Sequence, residues 1–315
     1  VPAGLVELRA SARLWRSGLP VMVKAKPSDG EAFRELAMSR RLRDFQNLGF
    51  KRSGCVMAYY NTEVCGEHIF FMTSPEVQGL VDRLGWRAQD AVAEQESGDR
   101  GRATVPLPLG QSLQYLIQLL LGLGELEHAG IVHVGLTPHR IILDGGQVVI
   151  SGLEHACLLH DGDRKLSCRT LHKEILDSMG SPLWQAPELA ADPPGDMKSH
   201  VWSVGLLFAS MCIGYNPAVN TPSVSPLVRS GWYRSMPARW AVRHAVYHEF
   251  DVAKDSGFQF LDPDVRRLLL GMLAPSPADR LSTAEALAEA TRMALSRGVP
   301  IVARAPDPPP LEDDA

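Results

Sequence analysis

The sequence predicts an α+β fold of two unequal lobes, a small β-rich one carrying a single helix and a larger helical one behind it. Three observations lead there. Up to residue 76 the apolar residues fall in short strand-like runs around one stretch of helical spacing. Beyond Pro75 the spacing is helical almost throughout. A chain of 315 residues, 45% hydrophobic and 22% charged, also has apolar material for both lobes and too little charge for disorder. The implied division is a first lobe over 1–76, a second over 77–298, and a Pro-rich acidic tail over 299–315, where Ala305 to Ala315 reads APDPPPLEDDA.

Taken in order, Leu19 to Ala25 is an apolar strand pattern. Glu31 to Arg43 has helical spacing, with Phe33, Leu36 and Leu42 expected on one side and capping chemistry ahead of it in Ser28-Asp29-Gly30. Cys55 to Tyr60 and His68 to Thr73 read as two strands joined across Asn61 to Gly66. Glu94 to Thr104 is polar, contains glycine and reads as a solvated loop. Ser112 to His128 is a strongly apolar helix whose stripe Leu116, Leu119, Leu120 and Leu123 belongs in the core. Gly146 to Ile150 is a short strand after a Gly-Gly turn, and Ser199 to Ile213, Pro263 to Leu273 and Thr283 to Arg297 are helices.

Composition removes several classes of function. A net charge of −4 gives no global pull toward nucleic acid or anionic lipid. No apolar run approaches the roughly 20 residues a membrane helix needs; Leu116 to Leu126 is interrupted by Gln118 and Glu125. The first residue is Val1 rather than Met, so removal of upstream sequence is expected and a signal peptide is not testable. Cys55, Cys65, Cys157, Cys168 and Cys212 lack zinc-type spacing. Two readings stand for them: free or buried thiols, or an oxidising compartment with Cys55–Cys65 closing a hairpin and Cys157–Cys168 a loop. His128, His139, His155, His160 and His172 are not at ligand spacing and read as ordinary polar residues; no metal is expected.

Five segments in fixed order narrow the fold. A strand carrying Lys24 precedes a helix carrying Glu35. Gly130-Ile-Val-His-Val-Gly-Leu-Thr-Pro-His-Arg-Ile-Ile-Leu143 is followed by Val149-Ile-Ser-Gly-Leu-Glu154 and by Gly180-Ser-Pro-Leu-Trp-Gln-Ala-Pro-Glu188. Then come Lys198-Ser-His-Val-Trp-Ser-Val-Gly205 and Pro277-Ala-Asp-Arg-Leu-Ser-Thr-Ala-Glu-Ala-Leu287. In nearly every spacing this set resembles the protein-kinase signature, from about residue 5 to 298. Within kinases, Val-His-Val-Gly-Leu-Thr-Pro, Gly152 to His155 and Gly231 to Pro237 resemble the secreted rhoptry-type kinases and pseudokinases of apicomplexan parasites.

The resemblance implies a bilobal protein-kinase-like fold and identifies what is kept. His133 and Pro138 match the catalytic loop, Glu188 with Arg280 matches a buried ion pair, and Trp202 and Gly205 match the helix that supports the loop. Lys24 and Glu35 match the strand-to-helix pair, with Lys26 and Glu31 as rivals for those roles. Other matched positions are degenerate. Gly135 stands where the base aspartate belongs, Thr137 where a lysine does, Arg140 where a metal-binding asparagine does, and Gly152 where the metal-binding aspartate does. Leu8 to Leu19 lacks a glycine-rich phosphate loop. His200 replaces the aspartate that caps the loop, which suggests a reorganised loop.

These losses lead to the expectation of an inactive pseudokinase, not an enzyme, that serves as a protein-binding scaffold or regulator. No magnesium is expected, and the Lys24–Glu35 pair does not by itself imply ATP. Two alternatives stay open: a divergent kinase drawing its carboxylate from Glu154, Asp144 or Asp161, and a metal-independent nucleotide sensor using Lys24 and Arg140. The partner is a protein of unidentified type rather than nucleic acid, with Trp232, Tyr233, Arg234, Trp240 and Arg243 as residue types favoured in interfaces. The rhoptry-type resemblance further implies secretion into a parasitophorous vacuole or cyst.

Overall fold

Strand period and helix spacing together explain how the first lobe closes over its own charges. In the computed structural model, residues 8–13, 20–48, 53–74, 78–80, 105–144, 146–160, 163–166, 182–190, 197–229 and 236–301 are described. Strands β1 (Leu8–Arg13), β2 (Pro20–Pro27), β3 (Tyr59–Cys65) and β4 (His68–Thr73) form an antiparallel sheet in the order β1-β2-β4-β3. Helix α1 (Gly30–Asn47) packs on it, its N-terminus capped by Asp29, whose carboxylate accepts from the Ala32 N–H at 2.9 Å. The inward stripe is Ala32, Glu35, Leu36, Ser39 and Leu42. Phe33 falls beside that stripe and is 50% exposed, contrary to the expected face.

The hairpin also differs from expectation. Strand β3 runs through Asn61 to Cys65, and the chain reverses at Gly66, whose φ of +59° suits a two-residue turn. Cys55 to Ala58 leaves the sheet because it has another partner. The Met57 N–H donates to the Ile150 carbonyl at 2.8 Å, and the Ile150 N–H donates to the Cys55 carbonyl at 2.7 Å. This parallel bridge ties the first lobe to the second. Cys65 is an exposed free thiol, so the Cys55–Cys65 bridge does not form. Cys168 of the other expected bridge lies outside the described residues, as do Glu94 to Thr104, Asp161, His172, Trp232, Tyr233 and Arg234.

After a short strand β5 (Gln78–Gly79), the second lobe is organised by α2 (Leu109–His128), whose Leu116, Leu119, Leu120 and Leu123 are fully buried. Strand β7 (Ile141–Asp144) pairs with β5 on one side and β8 (Gln147–Ile150) on the other, while β6 (Ile131–His133), β9 (Ala156–His160) and β10 (Asp163–Leu166) form a second small sheet. Helices α3 (Ser199–Ile213), α4 (Val224–Arg229), α5 (Met236–Glu249), α6 (Pro263–Met272) and α7 (Thr283–Ser296) complete it. Trp240 and Arg243 lie on α5. A Cβ at Gly205 would meet Leu273 at 2.9 Å, so this glycine lets α3 approach the end of α6. Among the described residues no helix is long and apolar enough to cross a membrane. The fold is α+β and bilobal.

Arg280 anchors the second lobe. Its five N–H donors all find acceptors: both oxygens of Glu188 (2.5 and 2.8 Å) and the carbonyls of Ala274, Lys198 and Pro275. Its guanidinium also lies 5.1 Å from the ring of Trp202, which is fully buried and packs edge-on to Phe250. Glu188→Ala leaves that cation buried and unpaired, and urea unfolding is expected to show a loss of about 3–5 kcal/mol. A Glu188→Ala, Arg280→Met double variant should recover part of it.

Candidate functional site

The two-residue period of β2 places Lys24 and Lys26 on one face, and both reach Glu35 of α1. Lys24 Nζ donates to Glu35 Oε1 at 2.9 Å, the same oxygen that accepts from Tyr59 Oη at 2.9 Å. Lys26 Nζ lies 2.7 Å from Glu35 Oε2, close enough for an ion pair although that oxygen has no aligned hydrogen bond. The two lysines share the carboxylate rather than compete for it. Glu31, the other rival, sits in the first turn of α1.

Lys26 continues the chain of charges into the second lobe, 3.7 Å from Glu154. Glu154 follows Gly152 in a single 3-10 turn over Leu153–His155. Its Oε1 lies 2.7 Å from Arg140 Nη1 in an ion pair, and Arg34 of α1 donates to its main-chain carbonyl at 3.2 Å. Burial alone would raise the pKa of Glu154. The surrounding cations, Arg140 first and then Lys26, outweigh burial and hold it down at about 2. Glu154 is therefore an ionised, ion-paired carboxylate at the lobe junction.

The loop before it is held by its backbone. The Gly135 N–H donates to the His155 carbonyl at 3.2 Å, and Thr137, itself buried, accepts from the Arg140 N–H at 2.9 Å. His133 donates from Nε2 to the Ser151 carbonyl at 2.9 Å, and burial pushes its pKa down to about 4. Arg140 also donates to His155 Nε2, which puts the imidazole proton on Nδ1. Burial, then Arg140, push His155 down to about 3, so it is neutral. His200 does not reach this loop: its Nε2 lies 2.6 Å from Glu127, which also accepts from Thr283. The expected loop aspartate is thus replaced by a contact to α2 and α7.

The kinase resemblance of the sequence implies a magnesium ion at this junction, and the residues present do not fit one. Gly152 offers no side chain, and at the second ligand position a guanidinium sits 2.7 Å from the neighbouring carboxylate. Two fixed positive charges against one carboxylate oppose a divalent cation. Among the described residues no group of three or more histidine, cysteine or carboxylate side chains could hold a metal. Asp144 ends β7, and Asp161 lies outside the described residues. Arg34 and His155 are functional neighbours that the sequence does not signal.

This two-lobed architecture, with a strand lysine paired to a helix glutamate above an Ala-Pro-Glu segment, defines the class. A protein kinase domain matches residues 89–290, and the chain belongs to that family. The serine/threonine-protein kinase STK11 of Gallus gallus is 30% identical over 286 residues, covering 88% of this chain and 53% of that protein. Serine/threonine-protein kinase PAK 4 of Homo sapiens is 26% identical over 277 residues (85% and 39%). Serine/threonine-protein kinase chk1 of Schizosaccharomyces pombe is 28% identical over 169 residues (53% and 29%). The chain spans about half the length of these relatives or less.

These findings overturn the expectation that the chain is not an enzyme. The matched family is the protein kinase domain and the relatives are serine/threonine-protein kinases, which point to a kinase and not to a non-enzyme. The physical reason is that phosphoryl transfer rests on positioning and charge stabilisation, which side chains outside the usual motif can supply. Degenerate positions describe a departure from one route.

The buried histidines set a pH dependence. Both are pushed below the ordinary value of 6.5, to about 4 and about 3, so the unfolded chain takes up protons first as pH falls. Their contribution is fully present above about pH 6.5 and is lost as pH falls through those values. Glu154 adds a further loss between 4.5 and about 2. Urea unfolding from pH 7 to 4 should show a falling midpoint, less steep in His155→Gln; a flat midpoint contradicts the buried, neutral histidines.

Proposed function

We propose that this chain is a divergent serine/threonine-family kinase that takes a nucleoside triphosphate at the lobe junction. The observation that carries the reading is the buried Lys24–Glu35 pair at 2.9 Å, which holds α1 against strand β2 within the first lobe and keeps a cation near the junction. Lys26 and Arg34 brace the same posture through Glu154. In the reaction, the bond from the γ-phosphorus to its bridging oxygen breaks as an acceptor hydroxyl oxygen bonds to phosphorus. With Gly135 in place of a base, the hydroxyl proton passes to a phosphoryl oxygen or to water. Cations at the junction stabilise the charge on the equatorial oxygens. Turnover is slow by the standard of kinases with a loop carboxylate.

The finer placement in the secreted rhoptry-type branch, as a regulator that binds a protein partner in a vacuole or cyst, is supported by the Val132 to Pro138 and Gly152 to His155 segments. Recovery of the chain from a secreted fraction is its test.

The nucleotide reading is tested by thermal unfolding with ATP and by label transfer from γ-labelled ATP to a serine/threonine peptide pool. At one hundred times the dissociation constant, a ligand of the folded state stabilises by about 2.7 kcal/mol. Wild type should show both the shift and slow transfer, and Lys24→Met should lose both. A shift without transfer removes the kinase reading, and no shift removes nucleotide binding.

A further inference from the structure

We infer that the Arg140 guanidinium is a built-in countercharge for the phosphates of the bound nucleotide, in the place of a divalent cation, so that binding needs no metal and magnesium weakens it. This deepens, and rests on, the nucleotide reading above.

Arg140 and Gly152 form one arrangement. A Cβ at position 152 would lie 2.5 Å from Arg140 Cδ and 3.1 Å from its Nε. Any side chain there, an aspartate included, meets the arginine where it now sits. The backbone agrees, since Gly152 has a φ of +79°, which L-residues rarely adopt. What the sequence presents as two separate losses is a cation and the space that cation requires.

The charge count points the same way. Lys24, Lys26 and Arg140 bring three positive charges, while Glu35 and Glu154 bring two negative ones, at contacts of 2.7 to 3.7 Å. His155 is neutral beside them. One positive charge remains, and it faces outward at Arg140. That side chain is 33% exposed, whereas those of Lys24 and Lys26 are 4% and 10% exposed. Arg140 forms an ion pair with Glu154 through Nη1 and spends one N–H on His155. Its remaining donors keep the planar fork that suits phosphate oxygens. A magnesium ion would arrive beside a fixed guanidinium, with its nearest carboxylate already ion-paired. Magnesium bound to ATP also cancels part of the negative charge that Arg140 would meet.

The test is titration of the full chain with a fluorescent N-methylanthraniloyl ATP, in EDTA and then in excess magnesium. The expected result is binding in EDTA, several-fold weaker once magnesium is added. Arg140→Gln should weaken binding in EDTA by about tenfold, the loss of one charge-assisted contact. Binding that appears or tightens only with magnesium overturns the inference and leaves the nucleotide reading standing. Absence of binding in both buffers overturns the nucleotide reading itself. The wild-type comparison decides the metal dependence even if the variant does not fold.

Discussion

A carboxylate held ionised inside a protein must be surrounded by cations, and Glu154 imposes that constraint on the whole junction. It is almost fully buried, and its Oε2 has no hydrogen-bond partner. Without Arg140 and Lys26 its charge would be expelled or neutralised. Meeting the constraint draws Arg140 back over Gly152, draws Lys26 away from exclusive pairing with Glu35, and brings α1 against the turn at Leu153–His155 through Arg34. The posture of the first lobe follows from where this charge sits.

The two lobes are also joined mechanically, and the two kinds of joint differ in character. Backbone bonds between Cys55–Met57 and Ile150 form a strand-like hinge that depends little on side-chain identity. The charged joint depends on five side chains together, so a change in one is felt by the rest. A separate charged joint within the second lobe pairs Arg280 with Glu188 beside the ring of Trp202.

How much of this is legible in the sequence depends on whether periodicity encodes it. Four helices of the second lobe (α2, α3, α6 and α7) are read within a few residues, the last marked by the reciprocal capping box of Ser282 and Glu285, whereas α4 and α5 are not read from the sequence. Lys24 and Lys26 stand two apart on a strand, which already puts both on one face, although the sequence reading treats them as rivals. The strand expected at Cys55–Tyr60 misses because its first half pairs across the lobes, a contact with no local signature. Gly152 reads as an absent carboxylate, and only coordinates reveal the arginine filling its space. The motif losses lead to the expectation of a non-enzyme, which the kinase family and relatives contradict.

The most direct measurement is a double-mutant cycle in urea between Arg140→Met and Glu154→Gln. If the buried carboxylate is held by that guanidinium, the two changes are coupled by about 1 kcal/mol or more, even allowing for the partial exposure of the arginine. Single effects that simply add, to within about 0.3–0.5 kcal/mol, would contradict the account.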